Sequence, residues 1–223
     1  MKIPRIGASF LLLGLALTAC GASTPPPPAQ AQVITSINGV ASNASTTPVN
    51  LTGGGRTLAT TQTDASGHFT LDLPSDAAAA GVAAPLSTGV LSDLGCTGTL
   101  TNGDPAASGY EVASLKMGSA SFMNATVSRS LLSRALRGKV YLYADRSTTL
   151  SGNLDCSATT GMPTTVTVNL NVSKGWNVLA LSIDGSIGLG GISVSGRLEN
   201  GQGAVGEVST WMDQEQVKKD LGA

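Results

Sequence analysis

The chain is short of the side chains on which most chemistry depends. Its 223 residues include one histidine and three cysteines, with 4% aromatic and 12% charged residues. A single histidine excludes imidazole clusters, and any Ser-His-Asp triad would have to pass through His68. Lys and Arg total 13 against 14 Asp and Glu, a net charge of −1. That balance excludes the basic surface needed for general nucleic-acid binding. No apolar run reaches the roughly 18–20 residues of a membrane-spanning helix. No Gly-x-Ser-x-Gly elbow and no Gly-Lys-Ser/Thr phosphate loop occurs. No catalytic residue, metal site or cofactor is therefore expected. What the chain does have is 28 glycines, 10 prolines and long stretches rich in Thr, Val and Ser, a composition of strands and turns.

The first twenty residues carry the most specific signal. Met1-Lys2-Ile3-Pro4-Arg5 is a short basic start, an apolar run follows to Leu17, and Thr18-Ala19-Cys20 closes it. This is the layout of an export signal. The Leu17-Thr18-Ala19-Cys20 ending resembles the lipobox of bacterial lipoproteins; the alternative is an ordinary secretory signal cut nearby. The resemblance implies removal of residues 1–19 and acylation of Cys20, with membrane lipid as the first partner. Two or more acyl chains anchor stably, whereas one is marginal. It further implies a bacterial envelope protein on the extracytoplasmic side, in the outer membrane where two membranes exist, since Gly21 rather than Asp follows the cysteine. Residues 20–32 then form the lipidated cysteine plus a Pro-rich tether, GASTPPPPAQAQ, semi-rigid by composition. Cleavage removes Lys2 and Arg5, leaving 11 basic against 14 acidic residues and a net charge of −3.

With Cys20 lipidated, as the resemblance implies, Cys96 and Cys156 remain as an even pair. An oxidising compartment makes a disulfide the expected state. The rival reading, a two-thiol metal site, finds no His or Cys at ligand spacing beside either one.

Folded sequence is expected from about residue 33 to 223 as one domain, with a split near 76–110 as the alternative. Asn38-Gly39 and Asp64-Ala65-Ser66-Gly67 read as turns or bulges. In His68–Pro74, Phe69, Leu71 and Leu73 share one face and His68, Thr70 and Asp72 the other, the period of a half-buried strand. The run Ile37-Asn38-Gly39-Val40, Pro48-Val49-Asn50-Leu51 and Thr63-Asp64-Ala65-Ser66-Gly67-His68-Phe69-Thr70-Leu71 resembles the start of carboxypeptidase-regulatory-like, transthyretin-like β-sandwich modules. It covers residues 33–74. An Ala-rich stretch replaces the aromatic-rich strand usual after Pro74. The resemblance implies a non-catalytic adhesive or structural module and no active-site residues.

Further along, Ser75 and Asp76 are placed to cap a short Ala helix. Ser128–Arg137 is predicted as a second helix, with Leu131, Leu132, Ala135 and Leu136 on one face and Gly138 beyond its end. Lys139–Asp145 alternates, Val140, Leu142 and Ala144 against Tyr141 and Tyr143. Val166, Val168, Leu170 and Val172 alternate with Thr167, Asn169 and Asn171. Ser173-Lys174-Gly175 reads as a turn, so 166–172 and 176–183 are predicted to form a β-hairpin. Ile192–Leu198 and Ala204–Trp211 add strands, and Met212–Leu221 reads as a short terminal helix. The predicted fold is an all-β antiparallel sandwich with one or two short helices.

Site candidates are few. His68 reads as an exposed turn histidine, and Asp64 and Asp72 as turn or strand acids without the oxygen density of a calcium loop. Gly53-Gly54-Gly55-Arg56 and Gly188-Leu189-Gly190-Gly191 read as hairpin loops. Arg129, Arg134, Arg137, Lys139 and Arg146 form a basic cluster suited to anionic lipid or acidic glycan, or simply to solvent. Tyr141, Tyr143 and Trp176 are the candidate ligand-binding residues, either as a sugar-stacking platform or as packing. The function expected is a non-enzymatic structural or protein-interaction module of the cell envelope, engaging an envelope protein or the wall; the alternative is a glycan- or small-ligand-binding lipoprotein.

Overall fold

The structure, a computed structural model, describes residues 31–42, 46–188, 191–202 and 207–221. Cys20, the export signal and the tether up to residue 30 lie outside the described residues, as do residues 189–190 of one glycine loop. Strands β1 (Val33–Ile34), β2 (Ser36–Ala41), β3 (Pro48–Gly53), β4 (Arg56–Gln62) and β5 (His68–Asp72) come first. Helix α1 (Asp76–Ala80), strand β6 (Ala84–Pro85), helix α2 (Leu86–Gly89) and a 3-10 turn at Ser92–Leu94 lead to β7 (Thr101–Asn102). Then follow β8 (Ser108–Val112), β9 (Ser114–Met117), β10 (Ala120–Arg129), β11 (Ser133–Ala144) and β12 (Thr148–Asp155). Helix α3 (Ser157–Thr160) precedes β13 (Thr164–Val172), β14 (Gly175–Gly188), β15 (Gly191–Asn200), β16 (Val208–Asp213) and α4 (Gln214–Leu221).

The expected all-β, sandwich-like fold is present. One sheet runs β11-β14-β15-β13-β12-β7, with β8 and the second half of β10 on the outer edge of β11. The other runs β5-β2-β16-β10-β9-β3-β4, using the first half of β10. Strand β10 thus belongs to both. Where it crosses, the Lys139 amide donates to Asn124 Oδ1 at 3.0 Å. A Cβ on Gly138 would lie 2.4 Å from the Asn124 carbonyl oxygen, so only glycine lets the two strands approach there. The pairs β13–β15 and β16–β2 are parallel; the other ladders are antiparallel.

Two cores result. One face of the first sheet, with Val140, Leu142, Leu150, Val168 and Leu179, packs under residues 86–107. The opposite face, with Tyr141, Tyr143, Trp176 and Val178, packs against Leu51, Leu71, Phe122 and Trp211 of the second sheet. Strand β11 is therefore buried on both faces from Val140 to Ala144, as a central strand must be.

Several local expectations hold. Strand β5 buries Phe69 and Leu71 and exposes His68, Thr70 and Asp72. Strand β13 alternates strictly from Thr164 to Leu170. Ser75 Oγ accepts from the Ala78 amide at the start of α1. Asp213 Oδ1 accepts from the Glu215 and Gln216 amides at the start of α4.

Three expectations are corrected. Residues 128–137 are not a helix: they are the ends of β10 and β11 with the turn between them, and Leu131 is 92% exposed. Pairing of β11 with β14 along its whole length, from Ser133↔Ser186 to Ala144↔Gly175, overrides the local helical spacing. The segments 166–172 and 176–183 are not a hairpin, because β15 lies between them. The short link spans that gap around Asn177, whose side chain is fully buried and bonds Ser173 N, Ser173 O and Gly175 O. Asn38-Gly39 is not a turn; it lies within β2, where a Cβ on Gly39 would meet the Trp211 ring at 2.5 Å.

Candidate functional site

The binding candidates named from sequence lie inside the molecule. Tyr141, Tyr143 and Trp176 are each at most 4% exposed. Tyr141 stacks on Trp211, with ring centroids 6.1 Å apart and planes 9° apart. Tyr143 packs on Trp176 at 5.6 Å, and Trp176 Nε1 donates to the Pro74 carbonyl at 2.9 Å. A ring covered by protein on both sides offers no face to a sugar, so these three residues serve packing. What decides between the two sequence readings is that β11 has neighbours on both faces, a long-range property of the sheets.

His68 and Asp64 form a turn. Asp64 Oδ1 accepts from the Ser66 and His68 amides at 2.8 and 2.9 Å, and these backbone bonds hold its carboxyl below the usual range. His68 Nδ1 stands 3.7 Å from the same carboxylate. Among the described residues no group of three or more His, Cys, Asp and Glu could hold a metal ion.

Cys96 and Cys156 are joined by a disulfide. It staples the segment after α2 to the end of β12. Thr159 Oγ1 adds a bond to the Leu94 carbonyl, so residues 91–96 and 156–162 form one block.

That block is one wall of an apolar cavity of about 340 Å³. The floor is the far end of β11, β14 and β15. Arg134 and Leu136 point to the same face as their register partners Gly185 and Ile183, and Ile187 sits opposite Ile192. This face is the continuation of the first core: Leu136 and Leu181 are packed within it, while Ile187 and Ile192 run past its covering segments and are more than half exposed. Helix α4 supplies the opposite wall with Val217 and Leu221. Arg129 clamps that helix to the β10 strand through Asp220 and the Lys219 carbonyl. Leu132, 57% exposed, stands at the rim.

The basic cluster resolves into pairs. Arg129 meets Asp220, Arg137 meets Asp184 at 2.6 Å, Lys139 meets Glu207 at 2.9 Å, and Arg146 meets Asp145 at 3.3 Å. Arg134 has no carboxylate partner among the described residues. Its Nη1 donates to the carbonyls of Ser130 and Ser133 at 2.7 and 3.0 Å, which fixes the guanidinium beside the hairpin turn at the cavity.

A buried acid went unnoticed in the sequence. Glu111 is 5% exposed, and its Oε2 accepts from the amide of Leu91, a residue in the left-handed region at φ 57°. Its Oε1 has no hydrogen-bond partner among the described residues. Burial pushes the carboxyl up to about 8, with Asp93 adding to the rise, so it is largely protonated at neutral pH. Glu111 thereby props the start of the disulfide-bearing wall.

No family profile, no curated protein and no solved structure matches this chain.

Proposed function

We propose that the protein is a lipid-anchored, extracytoplasmic, non-catalytic envelope lipoprotein whose β-domain, spanning residues 33–223, binds a small apolar ligand. The observation that carries the reading is the apolar cavity at the end of the long sheet, open beside exposed Leu132, Ile187 and Ile192. A cavity of 340 Å³ falls within the roughly 300–1,000 Å³ of ligand sites, which are mainly apolar with a few placed polar groups. Anchoring rests on the lipobox at Cys20, and an oxidising location is supported by the Cys96–Cys156 disulfide.

The test uses the exported full chain carrying Cys20→Ser, purified without detergent, and the neutral dye Nile red. Saturable binding with a blue-shifted emission, lost in Gly185→Leu, is expected. A Cβ at Gly185 meets nothing closer than 3.7 Å, so a larger side chain there fills the cavity. Dye binding unchanged in that variant, or absent from the parent, sinks the reading.

A second reading, an envelope module that engages a partner protein, is favoured by the same exposed aliphatic side chains together with Leu131. Crosslinking in living cells followed by mass spectrometry separates the two: a stoichiometric partner crosslinked through Leu131 or Leu132 favours it, and none there removes it.

A further inference from the structure

The lining of the cavity is one-sided in charge. Among the described residues its charged members are Arg134 and Lys218, and both are cationic. Lys218 shares its charge with Glu215 at 2.8 Å, a pair on the exposed side of α4. Arg134 is the member of the basic cluster without a carboxylate partner among the described residues, and its backbone bonds use Nη1 alone. A guanidinium held in place with an unused edge is preorganised for a two-oxygen anion. Behind it, Leu136, Leu181 and Ile183 make a floor with no acidic group.

We propose that the ligand is a free single-chain anionic amphiphile, a long-chain carboxylate, with its tail on the Leu136–Leu181–Ile183 floor and its head on Arg134. The inference rests on the binding reading above and adds the ligand's chemistry to it. The volume sits at the small end of the range for ligand sites, which suits one aliphatic chain rather than two. Each methylene taken from water raises affinity about fourfold, so binding tightens with tail length until the floor is filled. The carboxylate supplies orientation, because Arg134 lies at the hairpin end of the floor.

The experiment titrates the Cys20→Ser full chain with dodecanoate, dodecanol and dodecylammonium, each below its aggregation limit, by calorimetry. Dodecanoate is expected to bind with one-to-one stoichiometry, about tenfold or more tighter than dodecanol, and dodecylammonium more weakly than either. Arg134→Gln is expected to bring dodecanoate down to the dodecanol affinity and leave dodecanol unchanged. Equal binding of dodecanoate and dodecanol, unaffected by R134Q, overturns the head-group assignment while leaving the apolar site standing. No binding of either overturns both. Cosedimentation with phosphatidylglycerol vesicles in place of one-to-one dodecanoate binding overturns the free-ligand assignment in favour of a bilayer surface. Melting curves confirm that R134Q is folded. Should the variant not fold, a diazirine-tailed dodecanoate replaces it: crosslinks at Leu136, Leu181 or Ile183 support the assignment, and crosslinks elsewhere overturn it.

Discussion

Glu111 links one carboxyl group to the stability of a wall. Its folded pKa is raised to about 8 from an ordinary value near 4.5, chiefly by burial. Between those values the folded chain keeps a proton that the unfolded chain releases. The unfolded state then binds fewer protons, so stability falls as pH rises through this window. The slope reaches at most about 1.4 kcal/mol per pH unit. Glu111→Gln is predicted to remove that slope, so melting curves of the two proteins diverge from about pH 4.5 to about pH 8. Parallel curves would show that Glu111 does not titrate as its burial requires. Trp211 is the other residue on which much depends. It is fully buried between Tyr141 and Phe69, and Gly39 is the space its ring occupies. Trp211→Ala is predicted to cost about 3–5 kcal/mol in urea unfolding, and a loss below about 1 kcal/mol would contradict its place in the core. At this scale the sequence is legible only in part. Phe69 and Leu71 announce their burial by alternation, whereas Tyr141 is compatible from sequence with a sugar platform or with packing, and the second sheet that covers it decides for packing. Glu111, in a Gly-Tyr-Glu-Val run, carries no local sign that its neighbours exclude water.

Among the elements, the longest strands decide the outcome. Strands β11 and β14 pair over twelve residue positions, and this ladder turns the Leu131-Leu132-Ala135-Leu136 spacing from a helix face into a hairpin end. Local periodicity could not reveal it, because Leu131 and Leu132 are exposed and take no part in a buried stripe. The insertion of β15 between β13 and β14 was hidden for the same reason: it is a choice of partner, and strand alternation is indifferent to partner. By contrast β5, β13 and α1 were legible, since each is fixed by its own alternation or cap. The disulfide followed from cysteine number and the expected compartment. Its consequence for the cavity did not, since it depends on Leu94, Thr159 and Met162 facing α4 across the cavity. Replacing Cys96 and Cys156 by Ser is predicted to lower stability by about 2–5 kcal/mol and to weaken dodecanoate binding together with it. A destabilised variant with unchanged affinity would separate the staple from the site.

As a whole molecule the protein is polar along β14. At one end, Ala31 donates to the Asn171 carbonyl and Val178 to the Gln32 carbonyl, and β1 pairs with Trp176 and Asn177. The described chain therefore begins at that end. At the other end stand Ile183 and Ile187 of the cavity. From Asn177 to Ile187 a strand advances about 33 Å at ~3.3 Å per residue. The first described residues and the cavity thus lie at opposite ends of β14. Cys20→Ser is accordingly predicted to move the protein from the membrane to the soluble fraction without changing dodecanoate affinity; a lost affinity would mean that the acylated terminus takes part in the site. Ligand binding at the cavity is tested most directly by native mass spectrometry of the Cys20→Ser protein captured from cells without detergent. One added mass of a long-chain carboxylate per chain is expected, absent from Gly185→Leu. A bare chain mass in the parent, or the same added mass in the filled variant, would contradict it.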